Sequence, residues 1–253
     1  MNTKRIYRIG QIVPSSNTTM ETEVPRMLNL SSAKEIVDFT FHSSRMRMKQ
    51  VSREELTAMN GQTVRCAQEL ADAEMDVIAT ACLVAIMCQG LGYHRTAERQ
   101  LREACEAECP NTATLSSAGA LVSGLQTLGA KKISIITPYT PQLTKLVGDY
   151  LSAEGLEVQD AIALNVPDNL QVGRLDPMAL VDIADRLSTS NIDALVLSAC
   201  VQMPSLAAID IVQRKLNVPV ISTATATVFQ ILKLLGLPTA VPKAGEILSG
   251  HYG

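Results

Sequence analysis

Asp76-Val-Ile-Ala-Thr-Ala-Cys82 and Asp193-Ala-Leu-Val-Leu-Ser-Ala-Cys200 are similar stretches, each an apolar run that ends in a cysteine. A short, nearly continuous apolar run is typical of a parallel strand that is covered on both faces. The two cysteines lie 118 residues apart (200 − 82), close to half of the 253-residue chain. The sequence therefore predicts two similar α/β halves, each with one of these cysteines.

Other parts of the chain repeat with a similar spacing. Ile12-Val13-Pro14-Ser15 resembles Ile136-Thr137-Pro138-Tyr139, which lies 124 residues later (138 − 14). Strand-like runs alternate with helical patterns, which favours parallel sheets. The predicted strands are Tyr7–Val13, Ile36–Phe41, Val77–Ala81, Thr112–Ser116, Ile133–Thr137, Val158–Leu164, Ala194–Ala199 and Val218–Ser222. We expect two flavodoxin-like parallel-sheet domains related by a pseudo-two-fold axis, with the site in the cleft between them.

Helix start signals lie between the strands. Ser52 and Glu55 have the spacing of a capping box, ahead of a helix predicted to run to about Ala73. Asp176–Pro177 places a cap and a first-turn proline before a second predicted helix, Met178–Leu187.

The predicted halves are not continuous in sequence. We assign residues 1–117 plus 224–253 to the first half, which carries Cys82, and residues 118–223 to the second, which carries Cys200. In this division the segment after about Ala224 packs back on the first half.

Composition excludes several classes of protein. Apolar residues make up 47% and charged residues 19%, which is typical of a globular protein. The net charge is −3 without a block of like charges, so we expect neither nucleic acid nor a membrane as partner. The apolar runs are too short to span a bilayer. Met1–Arg8 is not followed by a signal-peptide pattern, so we expect a cytoplasmic protein.

Six cysteines in a chain of this length do not indicate a disulfide framework. Cys105 and Cys109 have helical spacing, but no second ligand pair accompanies them, so we expect no metal site. The glycines form neither a dinucleotide fingerprint nor a P-loop. We therefore expect no cofactor.

Ligands in open parallel sheets bind beyond the carboxyl ends of the strands. Pro14–Asn17, Cys82, Pro138–Tyr139 and Cys200 all have that position, two segments from each predicted half. A single free cysteine is more often a buried core residue, but duplication of the strand and its cysteine favours a functional pair. Two opposed thiols suit addition at one carbon with protonation of its neighbour. They equally suit deprotonation on one face of a carbon and reprotonation on the other.

Backbone N–H groups follow both cysteines. Leu83-Val84 and Val201-Gln202 begin the next loop or helix, where free N–H groups can lower a thiol pKa and bind a carboxylate.

At these residues the chain resembles the Asp/Glu/hydantoin racemase superfamily, and within it the maleate cis–trans isomerases, with arylmalonate decarboxylases as neighbours. The resemblance covers essentially the whole chain. It is carried by Gly10–Glu21, Ala81-Cys82-Leu-Val-Ala85 and Ser198-Ala-Cys200-Val-Gln-Met-Pro204. Racemases of the superfamily typically have Cys-Asn-Thr and Gly-Cys-Thr at the two cysteines, and this chain has neither.

The resemblance implies a role for each matching position. Cys82 would add to C2 of maleate to give a succinyl-cysteine, and Cys200 would protonate C3 and later remove that proton. Asn17, Tyr139 and Asn169 would hold the two carboxylates, with backbone N–H groups around Val84 and Val201. It also implies a small dicarboxylate substrate and a homodimer.

Two other functions stay open. The same cysteines would serve a cofactor-independent amino-acid or hydantoin racemase, and a two-lobed protein could bind a dicarboxylate as a sensor without turnover. From the residues alone, Asn17 could cap a helix, Tyr139 could be an anchored loop residue and Asn169 an ordinary turn residue.

Overall fold

Short apolar runs form two parallel sheets in the computed structural model, which describes residues 4–252. The first sheet has the order β2-β1-β3-β4 and the second β6-β5-β7-β8, so the same order occurs twice. This confirms the predicted α/β fold with two similar sheets. The strands are β1 (Arg5–Pro14), β2 (Val37–Met46), β3 (Val77–Thr80), β4 (Ala113–Ser116), β5 (Lys132–Thr137), β6 (Glu157–Ala163), β7 (Ala194–Ser198) and β8 (Val220–Ser222).

Helices connect the strands and cover the sheets. They are α1 (Met20–Leu30), α2 (Arg53–Asn60), α3 (Thr63–Ala71), α4 (Leu83–Met87), α5 (Tyr93–Cys105), α6 (Ser117–Thr127), α7 (Pro141–Ala153), α8 (Asn169–Val172), α9 (Ala179–Ala184), α10 (Leu206–Leu216) and α11 (Thr223–Leu234). Two 3₁₀ turns, Ser32–Glu35 and Glu246–Leu248, complete the set. Within the described residues, none of these helices has both the length and the apolar character needed to cross a membrane. Of the polar N-terminal segment, residues 1–3 lie outside the described residues.

Two predicted helices differ in extent from those observed. The helix predicted from Ser52 to Ala73 is two helices, α2 and α3, separated at Gly61. Ser52 Oγ accepts from the Glu55 N–H as predicted, but the Glu55 carboxylate accepts from two earlier backbone N–H groups and does not close the capping box. Asp176 does accept from the Met178 N–H, and the helix that follows, α9, is shorter than predicted.

The strand order determines where the site lies. In each sheet the strand order reverses at the two central strands, β1 and β3 or β5 and β7, because the chain first adds a strand on one side and then crosses to the other. Such a switch point leaves a crevice at the carboxyl ends of the strands. Ile12 pairs with Thr80, so β1 and β3 end at nearly the same level. The residues that follow these four strands therefore face one another between the two sheets.

Helix α11 crosses from the second sheet to the first. It follows β8 but packs against α1, β3, β4 and α6. The chain beyond it touches both halves: Ser32 N–H donates to the Ala240 carbonyl, whereas Glu246 N–H donates to Gln213 Oε1. The division into 1–117 plus 224–253 and 118–223 stays a proposal, because α6 belongs to the second half in it and the segment after α11 touches both halves.

Gly124 on α6 tests how tightly the halves pack. A Cβ at this position would lie 2.9 Å from Ile221 Cδ1 of β8 and 3.4 Å from Ala226 Cβ of α11. We expect Gly124→Val to lower the free energy of unfolding by about 1–3 kcal/mol through overpacking. Urea denaturation measures it against Gly148→Val on α7, where a Cβ meets nothing closer than 4.0 Å. Equal stability of the two variants would contradict the packing.

Candidate active site

One small cavity lies where the carboxyl ends of the central strands meet. Its empty volume is about 260 Å³, and the centre of a water molecule can lie in about 10 Å³ of this space. Larger depressions of about 520 and 550 Å³ lie elsewhere, but neither contains a cysteine. Within residues 4–252, the cavity is lined by Pro14, Asn17, Met48, Val51, Cys82, Val84, Tyr139, Asn169, Cys200, Val201 and Gln202. None of these residues has a charged side chain.

Cys82 follows β3 directly and begins α4 in an unusual backbone conformation. Its φ of 76° and ψ of 70° lie in the left-handed region, which costs a residue with a Cβ about 1–2 kcal/mol. The sharp turn lets the chain pass within two residues from β3, which ends at Thr80, to α4, which begins at Leu83, and the cysteine side chain lines the cavity. Strain of this kind in a non-glycine residue is concentrated at functional sites.

Cys200 occupies the equivalent place after β7 but is held differently. Ser198 Oγ donates to the carbonyls of Cys200 and Met203, which fixes a turn, and α10 begins only at Leu206. Cys200 is 7% exposed, whereas Cys82 is partly exposed. The N–H groups that lower the pKa of Cys200 belong to Gln202, which was predicted, and Met203, which was not, and the one that lowers the pKa of Cys82 belongs to Ala85 and not to Leu83 or Val84.

Burial raises the pKa of both thiols. For Cys82 desolvation outweighs the hydrogen bond from the Ala85 N–H, and charge on Cys200 raises its pKa further. For Cys200 desolvation outweighs the donors that lower its pKa, which are the Tyr139 hydroxyl and two backbone N–H groups. Nearby N–H groups alone would lower a thiol pKa, but loss of water is the larger effect here. Both cysteines line the same small cavity, so the two thiols lie close together.

Tyr139 joins the two halves at the centre of the cavity. Its side chain is buried, and its hydroxyl lies near enough to the Cys200 sulfur and to the Val84 N–H at the start of α4 for both to shift its pKa. Burial and the charges of both cysteines raise the pKa of Tyr139 well above the usual range, so the hydroxyl stays protonated. It is therefore a neutral donor beside both thiols.

Asn17 has one half of its amide committed to the fold. Its Oδ1 accepts from the Met20 N–H at the start of α1, at 3.1 Å. The helix-capping interpretation is thus confirmed for the oxygen. This contact directs the amide so that Nδ2, a donor only, is the part that remains for a ligand in the cavity.

Asn169 is oriented by a chain of hydrogen bonds. Ser16 Oγ donates to the Met48 carbonyl at 2.8 Å, so its oxygen can accept from Asn169 Nδ2, also at 2.8 Å. Asn169 N–H donates to the Lys49 carbonyl. One N–H of the amide remains for a ligand.

Residues 47–52 cover the cavity. Met48 and Val51 line it, and the segment is tied to the opposite half through Val51 N–H to the Pro167 carbonyl. A cavity of this size holds roughly one water molecule.

Of the predicted site residues, Asn17, Val84, Tyr139, Asn169, Val201 and Gln202 surround the two cysteines. Leu83 does not line the cavity, because its side chain packs in the core. The Gln202 side chain is held by hydrogen bonds to other groups of the protein. Met48 and Val51, which line the cavity, were not predicted, and Ser16 lies in the predicted segment Pro14–Asn17 but had no role assigned to it. Within residues 4–252 no three His, Cys, Asp or Glu side chains cluster in a way that could hold a metal, Cys105 and Cys109 included.

Comparison with known proteins connects this geometry to a family. The arylmalonate decarboxylase family model matches residues 9–248. The chain is 58% identical to a maleate isomerase of Geobacillus stearothermophilus, over 97% of this chain and 98% of that protein. It belongs to the maleate isomerase family.

Solved structures of the family have the same fold. A cysteine-to-alanine mutant of the Pseudomonas putida S16 maleate isomerase with maleate is 52% identical, with a TM-score of 0.95 over 98% of this chain and 99% of that one. A cysteine-to-serine mutant of the Nocardia farcinica maleate cis-trans isomerase carries a covalently bound succinylcysteine intermediate. It is 45% identical, with a TM-score of 0.93 over 96% of this chain and 98% of that one.

The left-handed backbone at Cys82 predicts a difference in stability between two variants at this position. Glycine adopts the conformation without strain, whereas alanine keeps the Cβ. We expect Cys82→Gly to have a free energy of unfolding about 1 kcal/mol higher than Cys82→Ala. Urea denaturation of both variants measures it. A less stable glycine variant would show that the turn at Cys82 is unstrained.

The raised thiol pKa values predict an unusual pH profile of alkylation. A thiol with a raised pKa is mostly protonated at neutral pH, so its reactive fraction keeps growing as pH rises. We expect the rate at which iodoacetamide modifies Cys82 to rise through pH 9 without a plateau. Peptide mass spectrometry measures it, with the unfolded chain in urea as control. A plateau by pH 7 would contradict a desolvated thiol.

Proposed function

We propose that this chain is a cofactor-independent isomerase that converts maleate to fumarate through a covalent succinyl-cysteine on Cys82. The observation that carries the proposal is the pair of sulfurs, one from each repeated half, in a single small cavity. Neutral hydrogen-bond donors surround them. The succinylcysteine in the Nocardia farcinica relative supports the covalent route.

The donors around the cavity suit two carboxylates. Asn17 Nδ2, the free N–H of Asn169 and the Tyr139 hydroxyl are the side-chain donors in our proposal. In our proposal the backbone N–H groups of Leu83 and Val201, which follow the two cysteines directly, add to them, whereas those of Val84 and Gln202 face the Tyr139 hydroxyl and the Cys200 sulfur. Because the lining carries no cation, these groups bind the carboxylates without pairing with a thiolate.

In the first step Cys82 reacts as the thiolate and Cys200 as the thiol. The sulfur of Cys82 forms a bond to C2, and the π electrons of C2=C3 move towards C3 and its carboxylate. The donors stabilise the enediolate-like charge that develops there. Cys200 gives its proton to C3 and becomes the thiolate, so one negative charge passes from Cys82 to Cys200 and the total charge of the two sulfurs is unchanged.

The second step reverses the first after a rotation. C2–C3 is now a single bond, so the two carboxylates can turn from cis to trans. Cys200 removes the proton from C3, the double bond forms again and Cys82 leaves as the thiolate. Atoms and electrons balance without an oxidant, a reductant or a cofactor.

We further propose that the protein is a cytoplasmic homodimer. All six cysteines are free thiols in the described chain, which suits a reducing compartment. The dimer follows from the family resemblance. Light scattering after size exclusion tests it, and a monomer would remove this part of the proposal.

Replacement of either cysteine tests the mechanism. We expect Cys82→Ala and Cys200→Ala each to lower kcat by about a thousandfold or more, because each removes a group that reacts directly. Fumarate formation from maleate is followed by loss of maleate absorbance and by chromatography. Cys88→Ala, a cysteine on the same segment that lies outside the cavity lining, is the matched control. Activity that survives in Cys82→Ala would refute the covalent route.

The alternatives give different results in heavy water. A racemase would place deuterium at Cα of an amino acid or hydantoin, starting from either enantiomer. A sensor would be stabilised thermally by maleate without converting it. Either result, with no fumarate formed, would replace the isomerase proposal.

A further inference from the structure

The Gln202 side chain has all of its hydrogen-bonding groups in use. Its Oε1 accepts from the N–H groups of Thr18 and Thr19 at 3.1 and 3.3 Å. Its Nε2 donates to the carbonyls of Ser16 and Asn169, both at 3.0 Å. A side-chain amide offers two acceptor sites and two donors, so nothing remains for a substrate carboxylate. Gln202 is therefore not a side-chain ligand of the substrate.

These four bonds lead to the residues that bind the carboxylates in the proposed function. Ser16, Thr18 and Thr19 flank Asn17 in the first half, and Asn169 begins α8 in the second half. The backbone N–H of Gln202 itself reaches the Cys200 sulfur. One side chain thus links three walls of the cavity, and buried amide hydrogen bonds of this kind are costly to leave unmade.

Gly173 supplies the space for this side chain. A Cβ at Gly173 would lie 2.4 Å from Gln202 Nε2 and 3.0 Å from Gln202 Cδ. The backbone does not require glycine, because φ is −68° and ψ is −10° at the end of α8. The glycine is needed for room alone.

We propose that Gln202 is a positioning residue that sets Asn17 and Asn169 at the distance one dicarboxylate requires, and that Gly173 keeps the space it occupies. This inference rests on the isomerase proposed above. Its loss need not separate the halves, since Glu23 of α1 also accepts from the N–H groups of Ser205 and Leu206.

Gly173→Ala tests the proposal without touching a site residue. We expect kcat/KM for maleate to fall by about tenfold to a hundredfold, mainly through KM, because displaced donors bind the carboxylates poorly. Alkylation of Cys82 by iodoacetamide should keep its rate and pH profile, which a general loss of structure would change. Gly61→Ala is the matched control, since Gly61 also ends a helix with φ −61° and its Cβ would meet only ordinary contacts.

A double-mutant cycle shows whether the effect passes through Gln202. Gln202→Ala should raise KM by a similar factor, and adding Gly173→Ala to it should change nothing, because the clash is gone. Equal KM for Gly173→Ala and Gly61→Ala would overturn the proposal, and so would additive losses in the cycle. Should Gln202→Ala not fold, the glycine comparison decides alone. Wild-type protein that forms no fumarate would instead reject the proposed function.

Discussion

Withdrawal of two thiols from water into one shared cavity is the constraint on which the site depends. Desolvation raises the pKa of Cys82 and Cys200 and outweighs the N–H and hydroxyl donors around them. A thiolate formed there is poorly solvated and therefore a strong nucleophile, and its neighbour stays protonated. The same burial keeps the Tyr139 hydroxyl neutral. Burial therefore opposes charge on both sulfurs at once, so that when one thiolate forms its neighbour stays a thiol, which is the pair that addition and protonation require.

The fold creates this pair by repetition. Each sheet ends its two central strands at the same edge, and the two edges meet, so that residues far apart in sequence share one cavity. The equivalence is not complete. Cys82 begins a helix with a left-handed backbone, whereas Cys200 lies in a turn held by Ser198. In the proposed mechanism the two cysteines also differ in role, since Cys82 is the nucleophile and Cys200 is the acid.

Much of this organisation could be predicted from the sequence. All eight strands form where apolar runs indicate them, because strands covered on both faces leave a strong apolar signal. β2 is longer than the sequence predicts. It extends beyond Phe41 to Met46 through residues that include His42 and Arg45, whose polar side chains an edge strand can expose. Because the sequence predicts that this strand ends at Phe41, it does not show that residues 47–52, with Met48 and Val51, reach the cavity.

Long-range polar contacts could not be predicted. Gln202 bonds to groups more than 180 residues away, and no local pattern encodes such a partner. The space that Gly173 leaves is visible only in three dimensions. The break at Gly61 separates α2, which contacts α4, from α3, which contacts α5. No local pattern shows this break, since a glycine within a helical pattern is often tolerated.

The central claim is that Cys82 adds to the substrate while Cys200 moves a proton. The most direct measurement is the mass of each cysteine peptide after wild-type protein has been mixed with excess maleate and quenched within one turnover. The account predicts an increase equal to one maleic acid on the Cys82 peptide and none on the Cys200 peptide. An adduct on Cys200, or rapid fumarate formation with neither peptide modified, would contradict it.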